Sequence, residues 1–469
     1  MSVRGARSAG TGALLRVLGV VFGLSVIIGN SIGAGILRTP GEVASLLPTG
    51  WLFFGVWVAG GLYALLGTNA LSELGTMLPR SGGQYIFARY TFGSYAGFLV
   101  GWSDWLSTCG SGAAIALVVG EYSGRLVPPL APWRQGIALL SITIFALVQW
   151  AGVREGAATQ VVTSALKTAA FAALIAACFL LGARHPLPPS AVQTSQVAPS
   201  LFAAIVLALQ SVIYTYDGWS GALYFSEEVR NPERGIPRAM FGGVLALIAI
   251  YLLVNAAFVH VLPLRVMAGE TLVAGTAAQA VFGGAGDRII RWLTLLSMLS
   301  AINAILLMAS RVLFAMGRDG LVGRAAVVRR VNAGGTPTFG LLVSALVAGA
   351  FILWSERFQA VIAVVSYFFV ANYAVSFATV FVLRAREPGA SRPFRAWGHP
   401  WTTAIALAVS VAFLGSALWV DRQHISFALF LLAASYPIFR VVTRGLARPS
   451  EAPPRQREGS NHPGPPTIQ

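Results

Sequence analysis

The chain has 469 residues, 56% of them hydrophobic and 11% charged, with a mean hydropathy of +0.71. A soluble domain carries about 25% charged residues, so this composition excludes a soluble globular protein and describes one that crosses a membrane many times. The net charge of +16 comes from arginines in short loops between apolar runs, not from a folded basic domain, which argues against nucleic-acid binding.

Residues 1–14 are small and polar and are expected to form a disordered cytoplasmic N-terminus. Runs of roughly 20 apolar residues can cross about 30 Å of hydrocarbon. They recur at 17–38, 51–73, 95–121, 135–153, 157–182, 200–229, 237–262, 287–316, 338–354, 358–384, 401–420 and 424–443. The first run follows Arg4, Arg7 and Arg16, as a signal peptide's would. Many spans follow, however, and no small-residue cleavage motif leads into polar sequence, so it is read as a retained span. The stretch 79–92 is amphipathic and is expected at the inner surface. Residues 271–282 are expected to form a short outer helix. The segment 447–469 is rich in Pro, Arg and Gly and reads as a disordered tail.

With the N-terminus inside, Arg80, Arg89, Arg154, Arg230, Arg234, Arg238 and Arg318 all fall in inner loops. That bias puts both termini in the cytoplasm of a cell whose plasma (inner) membrane holds the chain.

Two spans carry glycine-rich interruptions. The first reads Ile28-Gly29-Asn30-Ser31-Ile32-Gly33-Ala34-Gly35-Ile36, the second Tyr214-Thr215-Tyr216-Asp217-Gly218-Trp219-Ser220-Gly221. Backbone groups left unpaired in hydrocarbon are costly, so an unwound segment at that depth must be buried in protein or line a cavity. Two breaks five spans apart fit two five-helix repeats of inverted topology, about 17–182 and 200–384, with extra helices at 401–443. They point to a transporter's central site. The alternative is glycines that only serve helix packing.

A broken helix offers N–H groups at the start of its second half and carbonyls at the end of its first. An α-amino acid presents a carboxylate and an ammonium on one carbon. The N–H groups around Gly33, Ala34 and Gly35 suit the carboxylate. The carbonyls of Ser31, Tyr214 and Asp217 suit the ammonium, and Gly218 lets the backbone approach closely.

The stretch Tyr216-Asp217-Gly218-Trp219 through Glu227-Glu228-Val229-Arg230-Asn231-Pro232-Glu233-Arg234-Gly235-Ile236-Pro237-Arg238-Ala239 resembles the sixth-helix signature of the L-type amino acid transporters. These belong to the amino acid–polyamine–organocation superfamily. Residues 28–40 resemble that family's first-helix motif. The resemblance implies an all-α integral membrane protein of the LeuT-type fold, with five plus five helices, two extra C-terminal helices and alternating access. It implies a gating role for Tyr214 over the substrate and for Trp219 toward the cytoplasmic side; simple aromatic packing is the alternative for both. Ala34 departs from the family, where many members have serine, so backbone N–H groups would carry the carboxylate alone.

Lys167 is the chain's one lysine and falls in mid-span, where a buried ammonium is expensive. It resembles the lysine that sodium-independent relatives place in helix five. The resemblance implies that its ammonium bonds first-helix carbonyls near Gly29 and replaces a sodium ion. The alternative is a structural tether, which also predicts sodium independence.

Asp104 and Asp217 are the other mid-span acids. Asp217 can serve substrate or proton, and Asp104 can pair with a neighbour. Glu227 and Glu228 are expected to pair with loop arginines at an inner gate, and Arg311 to snorkel to the inner surface.

Cys109 and Cys178 lie in apolar runs without metal spacing, and the histidines form no HExxH-like pair. No metal, cofactor or catalytic constellation is expected, and the chain is not read as an enzyme. The loop at 122–134 lacks the cysteine by which heteromeric relatives hold a heavy subunit, so no disulfide-linked partner is expected. The reading is a sodium-independent amino acid permease working by proton symport or exchange, on neutral substrates. A cationic amino acid or polyamine carrier is the alternative. A non-translocating receptor or channel is the reading from another class.

Overall fold

The structure is a computed structural model that describes residues 14–185, 200–322, 325–354, 358–420 and 422–444. The expected disordered termini lie outside the described residues, apart from Leu14. The architecture is all-helical. The first apolar run forms α1 (Val20–Ser31) and α2 (Ala34–Leu46), which meet at a bend of 48°. Next come α3 (Gly50–Met77), α4 (Gln84–Phe92), α5 (Ser94–Leu126), α6 (Arg134–Ala151) and α7 (Val153–Leu181). The second half holds α8 (Leu201–Tyr216), α9 (Pro232–Val261), α10 (Leu264–Met267), α11 (Val273–Phe282) and α12 (Gly286–Arg318). The chain ends with α13 (Ala325–Val328), α14 (Thr338–Trp354), α15 (Phe358–Arg386), α16 (Trp401–Val420) and α17 (Arg422–Arg444).

Among the described residues, 7 helical segments are long and apolar enough to cross a membrane, and the bent α1–α2 pair brings the number to 8. Parts of α14, α16 and α17 are shorter apolar helices. α5 owes its more polar character to residues such as Ser103, Asp104, Ser107, Thr108 and Ser111. All five are buried, so neighbouring helices, not lipid, solvate that face. This fits the LeuT-type arrangement that the resemblance implies, with the broken elements packed centrally: α1 against α7, α9 and α12, and α2 against α8.

The short helix expected at 271–282 is present as α11. The stretch 79–92 contains α4, one face of which is covered: Tyr85, Ile86, Phe87 and Ala88 are all buried, while Phe92 is exposed. The covered face packs into the protein beside α5 and α15.

Both breaks have local causes. α1 ends where Ile32 turns extended (φ −75°, ψ 98°) and Gly33 follows at φ −137°, ψ −151°. α8 ends at Asp217 (φ −53°, ψ 151°), and Gly218 then takes φ +103°. That left-handed value is strained for any residue with a side chain. Beyond it the chain continues as a 3-10 turn, Gly221–Phe225.

Candidate functional site

The two breaks border one cavity of about 440 Å³, within the range of small-molecule sites. Asn30, Ser31, Gly33 and Gly35 line it from the first break, and Tyr214, Asp217, Gly218 and Ser220 from the second. Thr108 and Ser111 of α5 and Ile305 and Met308 of α12 form further wall. The cavity extends along α2 to Arg38 and Glu42 and along α8 to Gln210 and Ser211. Those residues lie on the side away from the chain termini, so the cavity reaches toward that face.

The terminus side is closed by ion pairs. Arg311 of α12 holds Glu228 through Nε at 2.7 Å and Nη2 at 3.0 Å. Its guanidinium also lies 4.8 Å from the centroid of Phe225. Arg318 holds Glu227 at 2.5 Å. Asp319 gathers Arg89 at 2.6 Å, Arg80 at 3.4 Å and the Tyr85 hydroxyl at 3.0 Å. The Leu18 N–H donates to Glu228 O and the Arg230 N–H to Leu18 O, tying the entry of α1 to the exit of the second break.

Two expectations are corrected here. Arg311 does not snorkel, being only 1% exposed. The partner of Glu227 is Arg318, one of the arginines expected in an inner loop and here the last residue of α12, but the partner of Glu228 is Arg311, inside α12 and not in a loop. Burial drives the choice: a carboxylate as enclosed as Glu228 needs a counter-ion at hydrogen-bond distance, and a loop side chain does not reach it.

Lys167 of α7 is buried, and its Nζ donates to Gly29 O at 2.9 Å and Ile32 O at 2.7 Å. Ser297 Oγ donates to the same Ile32 oxygen at 2.8 Å. One turn earlier, Gln160 Nε2 and Ser164 Oγ donate to Ser25 O at 3.1 and 2.7 Å. Gly29 makes this approach possible, because a Cβ there would lie 1.9 Å from Gln160 Nε2.

The sequence reading missed Tyr251 of α9. Its hydroxyl lies 2.7 Å from Ser31 O and 2.9 Å from Thr215 O, so one side chain stitches the ends of α1 and α8 together. A lone tyrosine in the apolar run 237–262 was the available signal. Two of the three carbonyls offered to an ammonium each already accept one hydrogen bond. Ser31 O accepts from Tyr251, and Tyr214 O accepts from the Asp217 N–H at 3.1 Å. The Ser31 hydroxyl, by contrast, borders the cavity as a buried oxygen without a partner.

The remaining residues separate. Asp217 is in the cavity wall and accepts from the Tyr373 hydroxyl at 2.7 Å. Tyr214 lines the cavity. Trp219 does not; it is buried and stacked on Tyr373 at 4.7 Å. Ala34 opens α2. Asp104 stands behind the wall and accepts from the Tyr224 hydroxyl at 2.7 Å. Among the described residues no cluster of His, Cys, Asp and Glu could hold a metal ion.

Gly218 makes a direct test of the second break. A Cβ there would sit 2.7 Å from both Asn30 Nδ2 and Ser31 Oγ, on top of the left-handed strain. Gly218→Ala is expected to cost about 1–3 kcal/mol of stability and to abolish ligand binding, by pushing the two breaks apart. Thermal unfolding and equilibrium binding of the purified variant check this; unchanged binding would contradict the close approach.

Known amino acid transporters resemble the chain over most of its length. The family model described as amino acid permease matches residues 14–439. The chain is 29% identical to the serine/threonine exchanger SteT of Bacillus subtilis, over 91% of this chain and 96% of that protein. It is 28% identical to the human large neutral amino acids transporter small subunit 2, over 92% of this chain and 82% of that one. It is also 28% identical to the mouse Asc-type amino acid transporter 1, over 82% and 73%.

Proposed function

Because the chain belongs to the amino acid permease family, we propose that it is a sodium-independent secondary transporter of neutral amino acids, working by alternating access as an exchanger or proton symporter. The observation that carries sodium independence is the Lys167 ammonium on the carbonyls of Gly29 and Ile32. A fixed cation there meets the same oxygens that a bound sodium ion would neutralise. In this reading the N–H groups of Gly33, Ala34 and Gly35 take the substrate carboxylate. Tyr214 and Trp219 close over and under the substrate.

Neutral substrates are favoured by a wall of hydroxyl, aromatic and apolar side chains at Thr108, Ser111, Tyr214, Ile305 and Met308. The serine/threonine exchanger and the large neutral amino acids transporter that the chain resembles point the same way. A second reading, cationic amino acids or polyamines, is favoured by the carboxylate of Asp217 in the wall. The arginine bias of the loops supports cytoplasmic termini for a chain of the plasma membrane. Cys109 and Cys178 are both buried and unbridged, and the 122–134 loop has no cysteine, so the chain is proposed to work without a disulfide-linked subunit.

Counterflow in proteoliposomes tests this. Purified protein is loaded with a panel of unlabelled amino acids and assayed for radiolabelled uptake without sodium. Uptake driven by neutral amino acids is the expected result. Uptake driven only by arginine, lysine or polyamines supports the second reading. Binding without counterflow would overturn transport in favour of a receptor.

A further inference from the structure

Arginines on the terminus side differ in what they meet. Arg80, Arg89, Arg311, Arg318, Arg384 and Arg392 are taken up by carboxylates within the protein. Arg234 and Arg238 of α9 and Arg395 of the loop between α15 and α16 are exposed, and they make no ion pair or side-chain hydrogen bond among the described residues. All three stand near one aromatic cluster. Arg395 precedes Trp397 by two residues, and Arg238 and Arg234 lie about one and two turns before Phe241 on one face of α9.

Trp397 is fastened from α3. Its N–H donates to Asn69 Oδ1 at 2.9 Å, and its carbonyl accepts from Asn69 Nδ2 at 2.8 Å. Beside it the Ala396 N–H donates to Glu73 Oε2 at 2.7 Å, and Glu73 is itself neutralised by Arg384 and Arg392. The Trp397 ring stacks on Phe241 at 5.1 Å, and Phe394 completes the cluster at 5.5 Å. The ring is nonetheless exposed, as is Trp401 at the start of α16.

The cluster closes the terminus-side end of a groove. α9 and α16 pack on different sides of α3. Gly61 lies against Ile248 of α9, where a Cβ would come within 2.8 Å, and the Tyr63 hydroxyl meets Ser410 Oγ of α16 at 2.9 Å. Leu62 falls about 100° around the helix from each, and it is exposed. Asn69 lies about two turns farther along the same face, so Trp397 sits at the end of the strip to which Leu62 belongs. Leu245 of α9 and Ile405 of α16, each about one turn past Phe241 and Trp401, are exposed as well. Apolar side chains face lipid in any membrane protein. What sets this strip apart is its end, where tryptophan suits the interfacial level and guanidinium groups match a phosphate bidentately.

We propose that the groove over α3 between α9 and α16 binds one anionic phospholipid of the terminus-side leaflet. Its phosphate lies on Arg238 and Arg395, its glycerol against Trp397 and an acyl chain along Leu62. Glu73 already has two arginines, and the exposed Glu233 offsets one charge of the unpaired three. The surplus that remains selects an anionic headgroup over a zwitterionic one.

The test is a lipid titration of the purified full chain in detergent, read by native mass spectrometry, with phosphatidylglycerol and phosphatidylcholine of identical acyl chains. Wild type is expected to bind phosphatidylglycerol at least about tenfold tighter. Arg238→Gln with Arg395→Gln is expected to weaken phosphatidylglycerol about 25-fold, about fivefold for each arginine removed, and to leave phosphatidylcholine unchanged. Arg154→Gln with Arg330→Gln removes two exposed arginines from α7 and the α13–α14 loop, and this charge-matched control is expected to keep wild-type affinity. An equal loss in the control overturns the site, because net charge alone would then explain the binding. Equal binding of the two lipids by wild type also overturns it. So does a wild-type dimer that binds no phosphatidylglycerol and is lost in the Arg238 and Arg395 variant, since the groove would then belong to a second copy of the chain. None of these outcomes touches the transport reading, which counterflow tests separately.

Discussion

Replacing Lys167 with alanine is expected to reduce sodium-free amino acid exchange at least about 100-fold, with the protein still folded. Removing the ammonium leaves Gly29 O without its donor and Ile32 O with Ser297 alone. An unmet buried acceptor costs about 1–3 kcal/mol, and here the cost falls on the turn that presents Gly33–Gly35 to the cavity. α1 can recover the loss only by moving, which disperses the N–H groups proposed for the carboxylate. Arginine should not rescue, because a planar guanidinium is larger and the Gly29 backbone it would have to reach is already crowded by the buried Gln160 and Ser164. Counterflow on the purified variant, with size-exclusion behaviour as the folding control, decides the matter. Normal exchange by Lys167→Ala would sink both the sodium-substitute role and the tether.

The second large effect is on stability. Arg311→Met strands the Glu228 carboxylate, 0% exposed, without its counter-ion. Breaking one side of a buried pair costs about 3–5 kcal/mol, and the apparent unfolding temperature should fall accordingly. The double variant Arg311→Met with Glu228→Gln removes both charges. It should regain most of that loss, since a buried pair is worth little more than a neutral replacement once its desolvation is counted. Thermal unfolding of both variants in detergent measures the difference. Equal destabilisation of the single and double variants would mean that Arg311 acts through packing on Phe225 and not through Glu228.

Several features of the site were legible from residue type and position alone. A glycine-rich break within an apolar span, a single lysine in mid-membrane and an acid inside the second break are local anomalies. Each is costly in hydrocarbon unless something meets it. Gly29 and Lys167 were named together because of a resemblance, and the structure brings them within hydrogen-bond distance. The acceptor pattern at the breaks was not legible. The carbonyls of Ser31, Tyr214 and Asp217 suit an ammonium because they end helices, but how much capacity such a carbonyl keeps depends on what faces it. Tyr251, 220 residues from Ser31 in sequence, decides that for Ser31. Arg311 was misread for the same reason, because its partner lies 83 residues away.

The sequence by itself determined that this chain lives in a membrane, that two of its spans are interrupted, and where one cation is buried. Each of these follows from the price of polar groups in hydrocarbon, which is paid residue by residue and so leaves a mark in the linear pattern. Only the tertiary structure decided which donors meet which acceptors: Lys167 on Gly29 and Ile32, Tyr251 across both breaks, Arg311 on Glu228, Tyr373 on Asp217. Those pairings join helices far apart in the chain. No periodicity records them, because they are set by how helices pack and not by the order of residues within any one of them.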